Sequence, residues 1–248
     1  SSSPKSSSVT ASSLTAASTA GVGVVTAATT GVASTLAAEV AGADYSKLPK
    51  EPVFTYDELS HEQQVKQFVG HLENNHAQVL KVKEEAIFIA VESLLKERNI
   101  ESLLYGEHGK YGSVIEKHFE NQSGSTTELI KYDFMLSENK EKLFDLSPAS
   151  ITSSKAAIAS TGSIVLWPTK EEPRTMSLVP PVHCVIVNEN DIVSDFSALM
   201  RKQVWHKSLP TNVLLISGPS KTADIQQTLA YGAHGPKELI VLLVSHAD

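Results

Sequence analysis

The sequence predicts a layered α/β domain built on a mainly parallel sheet, and three observations carry that reading. Short apolar runs alternate along the chain with segments whose apolar residues recur at helical spacing. The longest runs, Val182 to Val187, Val213 to Ile216 and Leu239 to Val244, show little polar alternation, which implies strands buried on both faces. A length of 248 residues with 41% hydrophobic content suffices for one good core.

The elements follow in chain order. Ser60 and Gln63 have the spacing of a capping box, and Val65, Phe68, Val69 and Leu72 share a face, which predicts a helix over 61–73. Val79 to Val82 reads as a short strand. Ile87, Val91, Leu94 and Leu95 mark a second amphipathic helix ending near Arg98 and Asn99. Leu103 to Tyr105, closed by Gly106, reads as the next strand. Val114, Ile115, His118 and Phe119 predict another helix, followed by an exposed polar loop over 121–127 and a strand at Leu129 to Tyr132. Asn139 to Phe144 reads as a helical turn before Ser147-Pro148, after which the chain is small and apolar from Ala156 to Ala159. Ser163 to Leu166 and Val182 to Val187 are expected strands, Asp195 to Val204 a helix, and Val213 to Ile216 a fully buried strand. A helix over Thr222 to Leu229 and a closing strand at Leu239 to Val244 complete the prediction.

Ahead of this domain, residues 6–38 carry no charge, yet more than half of them are Ser, Thr or Gly and only two are Leu. That average is too polar for a bilayer helix, and the stretch lacks the basic start and leucine-rich centre of a secretory signal. Residues 1–48 are therefore expected to form a low-complexity tail, disordered or loosely helical, with docking on a partner as the sharper alternative. The folded domain is expected over 49–248, approached through Pro49 and Pro52.

Composition narrows the function. A formal charge of -7, with acids and bases interspersed, supplies no basic stripe for a phosphate backbone, so nucleic acid is not expected as a partner. Nine scattered histidines form no zinc-type ligand set, and no metal site is expected. The single cysteine, Cys184, lies inside an apolar run; it reads as a small buried hydrophobe in a reducing cytoplasm. One thiol cannot build an all-cysteine iron–sulfur cluster, which takes about four. Any redox centre is then expected on a partner, and no cofactor in this chain.

The residues with chemical promise fall in the last third. A strand ending in Ser217-Gly218-Pro219-Ser220 and opening a helix with Lys221 and Thr222 would present free backbone N–H groups and a cation to a carboxylate or phosphate. Gly218 permits close backbone approach, Ser220 or Thr222 can cap the helix, and Asp224 can either favour the helix dipole or bind a ligand hydroxyl. It is no Walker A loop, since Lys221 follows serine and the upstream glycine is missing. Thr161-Gly162-Ser163 is expected at the same rim, and His234, between Gly232 and Gly235, in a loop able to face a ligand. The ligand-binding candidates are thus Thr161, Gly162, Ser163, Gly218, Ser220, Lys221, Thr222, Asp224 and His234, with no catalytic residue assigned. His183 reads as a core or hinge residue before it reads as a catalyst, and its neighbour Cys184 points to the opposite strand face, which leaves Cys/His catalysis poorly supported. Arg201, Lys202, Trp205, His206 and Lys207 read as a solvated helix end, with a protein contact surface as the alternative.

Together with Leu178-Val179-Pro180-Pro181-Val182-His183 and His234-Gly235-Pro236, the motifs at 161–163 and 217–225 resemble the LUD domain family, in its lactate utilization protein C branch. The resemblance runs from about Pro52 to Val244. It implies a Rossmann-like layered fold related to ribose-5-phosphate isomerases, CoA transferases and 5-formyltetrahydrofolate cyclo-ligases, a kinship of fold that transfers no chemistry. It also implies a place beside two iron–sulfur proteins that together with this subunit oxidise L-lactate to pyruvate, the subunit's own role being unassigned. Where many relatives read Ala-Glu-Thr-Gly-Thr, this chain has Ala159-Ser160-Thr161-Gly162-Ser163 and loses the carboxylate. The leading expectation is a cytoplasmic, non-redox subunit with an anion-binding cleft for a small carboxylate or phosphate-bearing ligand. A transferase or ligase acting on a phosphorylated or CoA-like substrate, and a purely structural adaptor, are the rivals.

Overall fold

In the computed structural model, residues 59–121, 127–132, 143, 147–203, 211–223, 229–231 and 234–245 are described. The tail over 1–48, its boundary with the domain, the polar loop at 122–126, most of the expected turn at 139–144 and residues 204–210 lie outside them. Among the described residues, no helix is long and apolar enough to cross a membrane.

Six strands, β1 (Gln78–Val82), β2 (Ser102–Tyr105), β3 (Glu128–Lys131), β4 (Ala149–Ser153), β7 (Val182–Asn188) and β12 (Glu238–Val244), form one sheet in the order β1-β12-β7-β4-β2-β3. Every neighbouring pair is parallel. This is the α/β layered architecture expected, and its cause is visible in β7 and β12, whose residues Val182 to Val187 and Leu239 to Val244 are all buried, as strands covered on both faces require.

The two faces are covered differently. On one, α2 (Ile87–Glu97) and α3 (Gly112–Asn121) bury Ile87, Phe88, Val91, Leu94, Leu95, Ile115 and Phe119 against Ile151, Cys184, Ile186, Ile240 and Leu242. On the other, α1 (His61–Asn74) sets Val65, Phe68 and Leu72 against Val185, Val187, Val241 and Leu243. Full burial of each such side chain contributes roughly 1.5–3 kcal/mol, so these stripes hold the layers together. The expected capping box is formed: Gln63 N–H donates to Ser60 Oγ at 3.3 Å and Ser60 N–H to Gln63 Oε1 at 2.8 Å. Helix α2 ends at Glu97 with Arg98 as its cap, close to the expected end, and Asn99 stands in the left-handed region at φ 53°.

A second sheet was not anticipated. β5 (Ala156–Ile158), β6 (Ser163–Leu166), β8 (Ile192–Val193) and β9 (Leu214–Ile216) assemble in the order β8-β5-β6-β9, with antiparallel pairs β5–β6 and β6–β9. Ala157, Ile164 and Leu166 join the core beneath α1, while Ala156, Ile158 and Val165 meet Leu199 of α5 (Phe196–Gln203) on the outer side. The strand expected at 213–216 is present but not fully buried: β9 is an edge strand of this sheet, and Leu215 is 49% exposed. The helix expected over Thr222 to Leu229 is not formed at its two ends, and residues 224–228 lie outside the described residues. Residues Lys221–Ala223 form β10 and pair antiparallel with β11 (Leu229–Tyr231). Pairing across the hairpin overrides the weak local capping signal. Two further elements had no clear sequence signal: β4, interrupted by Ser150 and Thr152, and the short helix α4 (Arg174–Leu178) that packs on it.

Candidate functional site

In an open parallel sheet, the crevice for ligands lies beyond the strands' carboxyl ends, where neighbouring strands send their connections in opposite directions. Here that point is between β2, whose chain leaves toward β3, and β4, whose chain leaves toward β7. A cavity of about 770 Å³ opens there, lined from the β2 side by His108, Gly109 and Lys110, and from the β4 side by Ser153, Ser154 and Lys155. Trp167, Thr169, Glu171 and Glu172 close it from the segment after β6, and Asp191 from the segment after β7.

The wall after β2 is made of two consecutive turns, with Gly109 N–H donating to the Gly106 carbonyl at 3.0 Å and Gly112 N–H to the Gly109 carbonyl at 3.1 Å. Its first residue is tethered, because Lys131 Nζ reaches Glu107 Oε1 at 2.7 Å and Glu116 Oε1 at 2.8 Å. Tyr105 donates its hydroxyl to the same Glu116 oxygen at 2.6 Å. Burial and the neighbouring Glu116 push the Tyr105 phenol upward, while the hydrogen bond from Lys131 holds Glu116 below its ordinary value. Glu107 and Glu116 are thus committed to structure. The basic residues on this side that line the cavity are His108 and Lys110.

The opposite wall turns back on itself. Thr169 Oγ1 accepts from Glu172 N–H at 3.0 Å and Glu171 N–H at 3.2 Å, and its own N–H donates to the Glu172 carbonyl at 3.2 Å. Glu171 is held below its ordinary value by its own backbone N–H and by Thr169. Glu172 reaches across to the end of β4, where Oε2 accepts from Ser153 N–H at 2.9 Å and Ser153 Oγ at 2.8 Å. Burial pushes its carboxyl upward, against the lowering effect of those two bonds and of the Lys110 charge. The missing side chain at Gly109 makes this reach possible, since a Cβ there would stand 2.6 Å from Glu172 Oε1.

The residues singled out from sequence lie elsewhere. Thr161, Ser163 and Ser217 form a hydroxyl chain with both links at 2.8 Å. Gly162, at φ 59°, presses its Cα face on His71, and Gly218 lies against Asn75. Ser220 N–H donates to the Pro236 carbonyl at 2.9 Å, and His234 N–H reaches Ser220 Oγ at 3.4 Å. Since Asn75 precedes β1 and Pro236 precedes β12, these contacts place the cluster at the amino-terminal side of the sheet, opposite the cavity. Thr161, Gly162, Ser163 and Gly218 are brought together around the end of α1, not around a helix N-terminus. Lys221 is exposed at the start of β10, Thr222 pairs in register with Ala230, and Asp224 lies outside the described residues. His183 is fully buried in β7, its Nε2 2.8 Å from Thr152 Oγ1, and burial pushes it down to about 3.

The cavity residues escaped the sequence reading, although Gly106, Gly109 and Gly112 at three-residue spacing after a strand were a visible turn signal. The significance of Glu172 had no such signal, because its burial and its Ser153 bonds arise only from the tertiary arrangement.

The family model of the LUD domain matches residues 65–244, the span that carries all the strands described above. The chain belongs to the LUD domain family. An uncharacterized protein of Neisseria meningitidis is 39% identical over 59% of this chain and 61% of its own length. Lactate utilization protein C 1 of Bacillus mycoides is 29% identical over 76% of this chain and 82% of its own length. For lactate utilization protein C of Bacillus subtilis the identity is 30%, over 55% of this chain and 58% of that protein. A crystal structure of a DUF162 family protein from Deinococcus radiodurans superposes with a TM-score of 0.55 at 19% identity, covering 75% of this chain and 99% of that one, which supports the fold. The LUD domain here therefore carries its cavity on a shared scaffold, at the rim where α/β sheets bind ligands.

Proposed function

We propose that the chain serves L-lactate utilization as a non-redox subunit, and that the cavity at the carboxyl ends of β2 and β4 binds an anionic ligand. Its relatives named lactate utilization protein C support the process. The division of labour rests on chemistry: with one cysteine, fully buried at Cys184, the chain supplies no thiolate set of its own for an iron–sulfur cluster. Electron transfer then belongs to iron–sulfur partner proteins. The single observation that carries the binding reading is the cavity itself, where Lys110, Lys155 and His108 meet Ser153, Ser154 and Thr169 at the sheet's switch point.

One feature favours a larger ligand than lactate. A volume of about 770 Å³ lies in the range of sites for drug-sized and cofactor-sized molecules, far beyond a three-carbon acid. A phosphorylated or CoA-like compound is the second reading. A purely structural adaptor is the third reading; among the described residues the exposed large apolar side chains are Ile89, Val114, Phe196, Met200 and Leu215, with Phe196 and Met200 one turn apart on α5.

A thermal-shift titration with L-lactate, pyruvate, inorganic phosphate, sugar phosphates and CoA tests both readings. A ligand at about one hundred times its Kd stabilises the native state by about 2.7 kcal/mol. The expected outcome is a raised midpoint for the parent that is lost in Lys110→Ala and Lys155→Ala and kept in Lys221→Ala. If none of these compounds stabilises the parent, or if only Lys221→Ala abolishes the shift, the cavity at the carboxyl edge is not the binding site.

A further inference from the structure

We propose that Glu172 is the proton-exchanging group of this cavity, presenting a proton on Oε1 to an oxyanion ligand whose charge is held by Lys110 and Lys155. The inference rests on the binding reading above and deepens it by naming how the ligand is recognised. The geometry separates the two carboxyl oxygens. Oε2 accepts two hydrogen bonds, from the backbone and the hydroxyl of Ser153, and so serves as an acceptor in either protonation state. Oε1 lies against Gly109, another lining residue, and is the oxygen left to carry the proton.

An acid so placed solves a problem of charge. The cavity has the cations Lys110 and Lys155 and the imidazole of His108, but also the carboxyl groups of Glu171, Glu172 and Asp191. An ionised Glu172 facing an oxyanion would place two acceptors face to face with no proton between them. Protonated, it donates a strong O–H···O⁻ bond instead. Glu171 is held below its ordinary value by its own N–H and Thr169, whereas Glu172 is pushed upward by burial and is bonded through Oε2 to the end of β4. The balance is simple: one solvent proton joins the Glu172 carboxylate as one oxyanion binds, and no electrons move. Partial burial of the Glu172 carboxyl supports the protonated form.

Groups from every wall titrate or carry charge near this site: His108 and Lys110 after β2, Lys155 after β4, Glu171 beside Glu172, and Asp191 after β7. His108, which lines the same cavity, is the rival proton acceptor. The test is calorimetric titration of the full chain with pyruvate, L-lactate and inorganic phosphate at about pH 6, in two buffers of different ionisation enthalpy. The expected result is uptake of close to one proton per oxyanion bound in the parent and in His108→Gln, and none in Glu172→Gln. Affinity in the parent rises by up to about tenfold for each pH unit lowered above the titration point of the free chain. Comparing pyruvate, lactate and phosphate distinguishes a 2-oxo acid, a 2-hydroxy acid and a phosphate as the source of the oxyanion. Binding without proton uptake, or uptake that survives in Glu172→Gln or disappears in His108→Gln, overturns the assignment while leaving the binding reading intact. If no probe binds, the binding reading falls and the assignment that rests on it falls with it.

Discussion

His183 shows what a single side chain contributes when the sheet encloses it. The ring is fully buried, bonded through Nε2 to Thr152 Oγ1, and held neutral because burial pushes it down to about 3. In the unfolded chain the same ring binds its proton near 6.5. Between those values the unfolded state binds more protons than the folded one, so stability falls as pH falls through that window. The contribution is at most about 1.4 kcal/mol per pH unit from this one group. A His183→Gln variant, which retains a partner for Thr152 but cannot titrate, is expected to lose less stability than the parent between about pH 7 and pH 4.5 in urea titrations. Equal losses would show that His183 is not the acid-sensitive element. The sequence placed this histidine correctly as a core residue, since it stands inside an apolar strand. It offered nothing comparable for Glu172, whose neighbours are prolines, threonine and charged residues, and whose role depends on Ser153 and Gly109 arriving from distant segments.

At the level of elements, local signals were readable wherever one piece of chain decides its own conformation. The Ser60/Gln63 box, the apolar faces of α1 and α2 and the runs in β7 and β12 all formed as expected, because each is specified within a single helical stripe or strand. Elements stabilised by pairing were harder to see. Lys221–Ala223 and Leu229–Tyr231 pair as strands where the ends of a helix were expected, and β9 became an edge strand, since strand identity depends on a partner outside the segment itself. The contact between Gly162 and α1 belongs to this class: a short 3-10 turn ends in the left-handed conformation so that the chain can press on His71. Gly162→Ala places a Cβ both in a disfavoured backbone region and against the His71 side chain. A loss of at least about 1 kcal/mol in urea unfolding is expected. An unchanged midpoint would mean that the joint between α1 and the second sheet yields without cost.

Across the whole molecule, the parallel sheet divides the chain into two ends with different duties. The amino-terminal side carries the small and hydroxyl residues that knit α1, the second sheet and the hairpin together, and the carboxyl side carries the cavity. The motifs most recognisable in the sequence fell on the first side. Small residues such as Thr161, Gly162 and Gly218 answer to close packing as readily as to ligands, and pattern alone directed attention to the rim opposite the cavity. Cys184, at the centre of the same sheet between β4 and β12, has a further consequence. It is fully enclosed and its thiol is pushed up to about 12 by burial, so alkylating reagents meet neither surface nor thiolate in the native chain. The only cysteine is thereby a stopwatch for opening of the central sheet. Its labelling rate at rising urea is expected to track global unfolding, and fast labelling in water, independent of urea, would reveal a breathing motion that splits the two central strands.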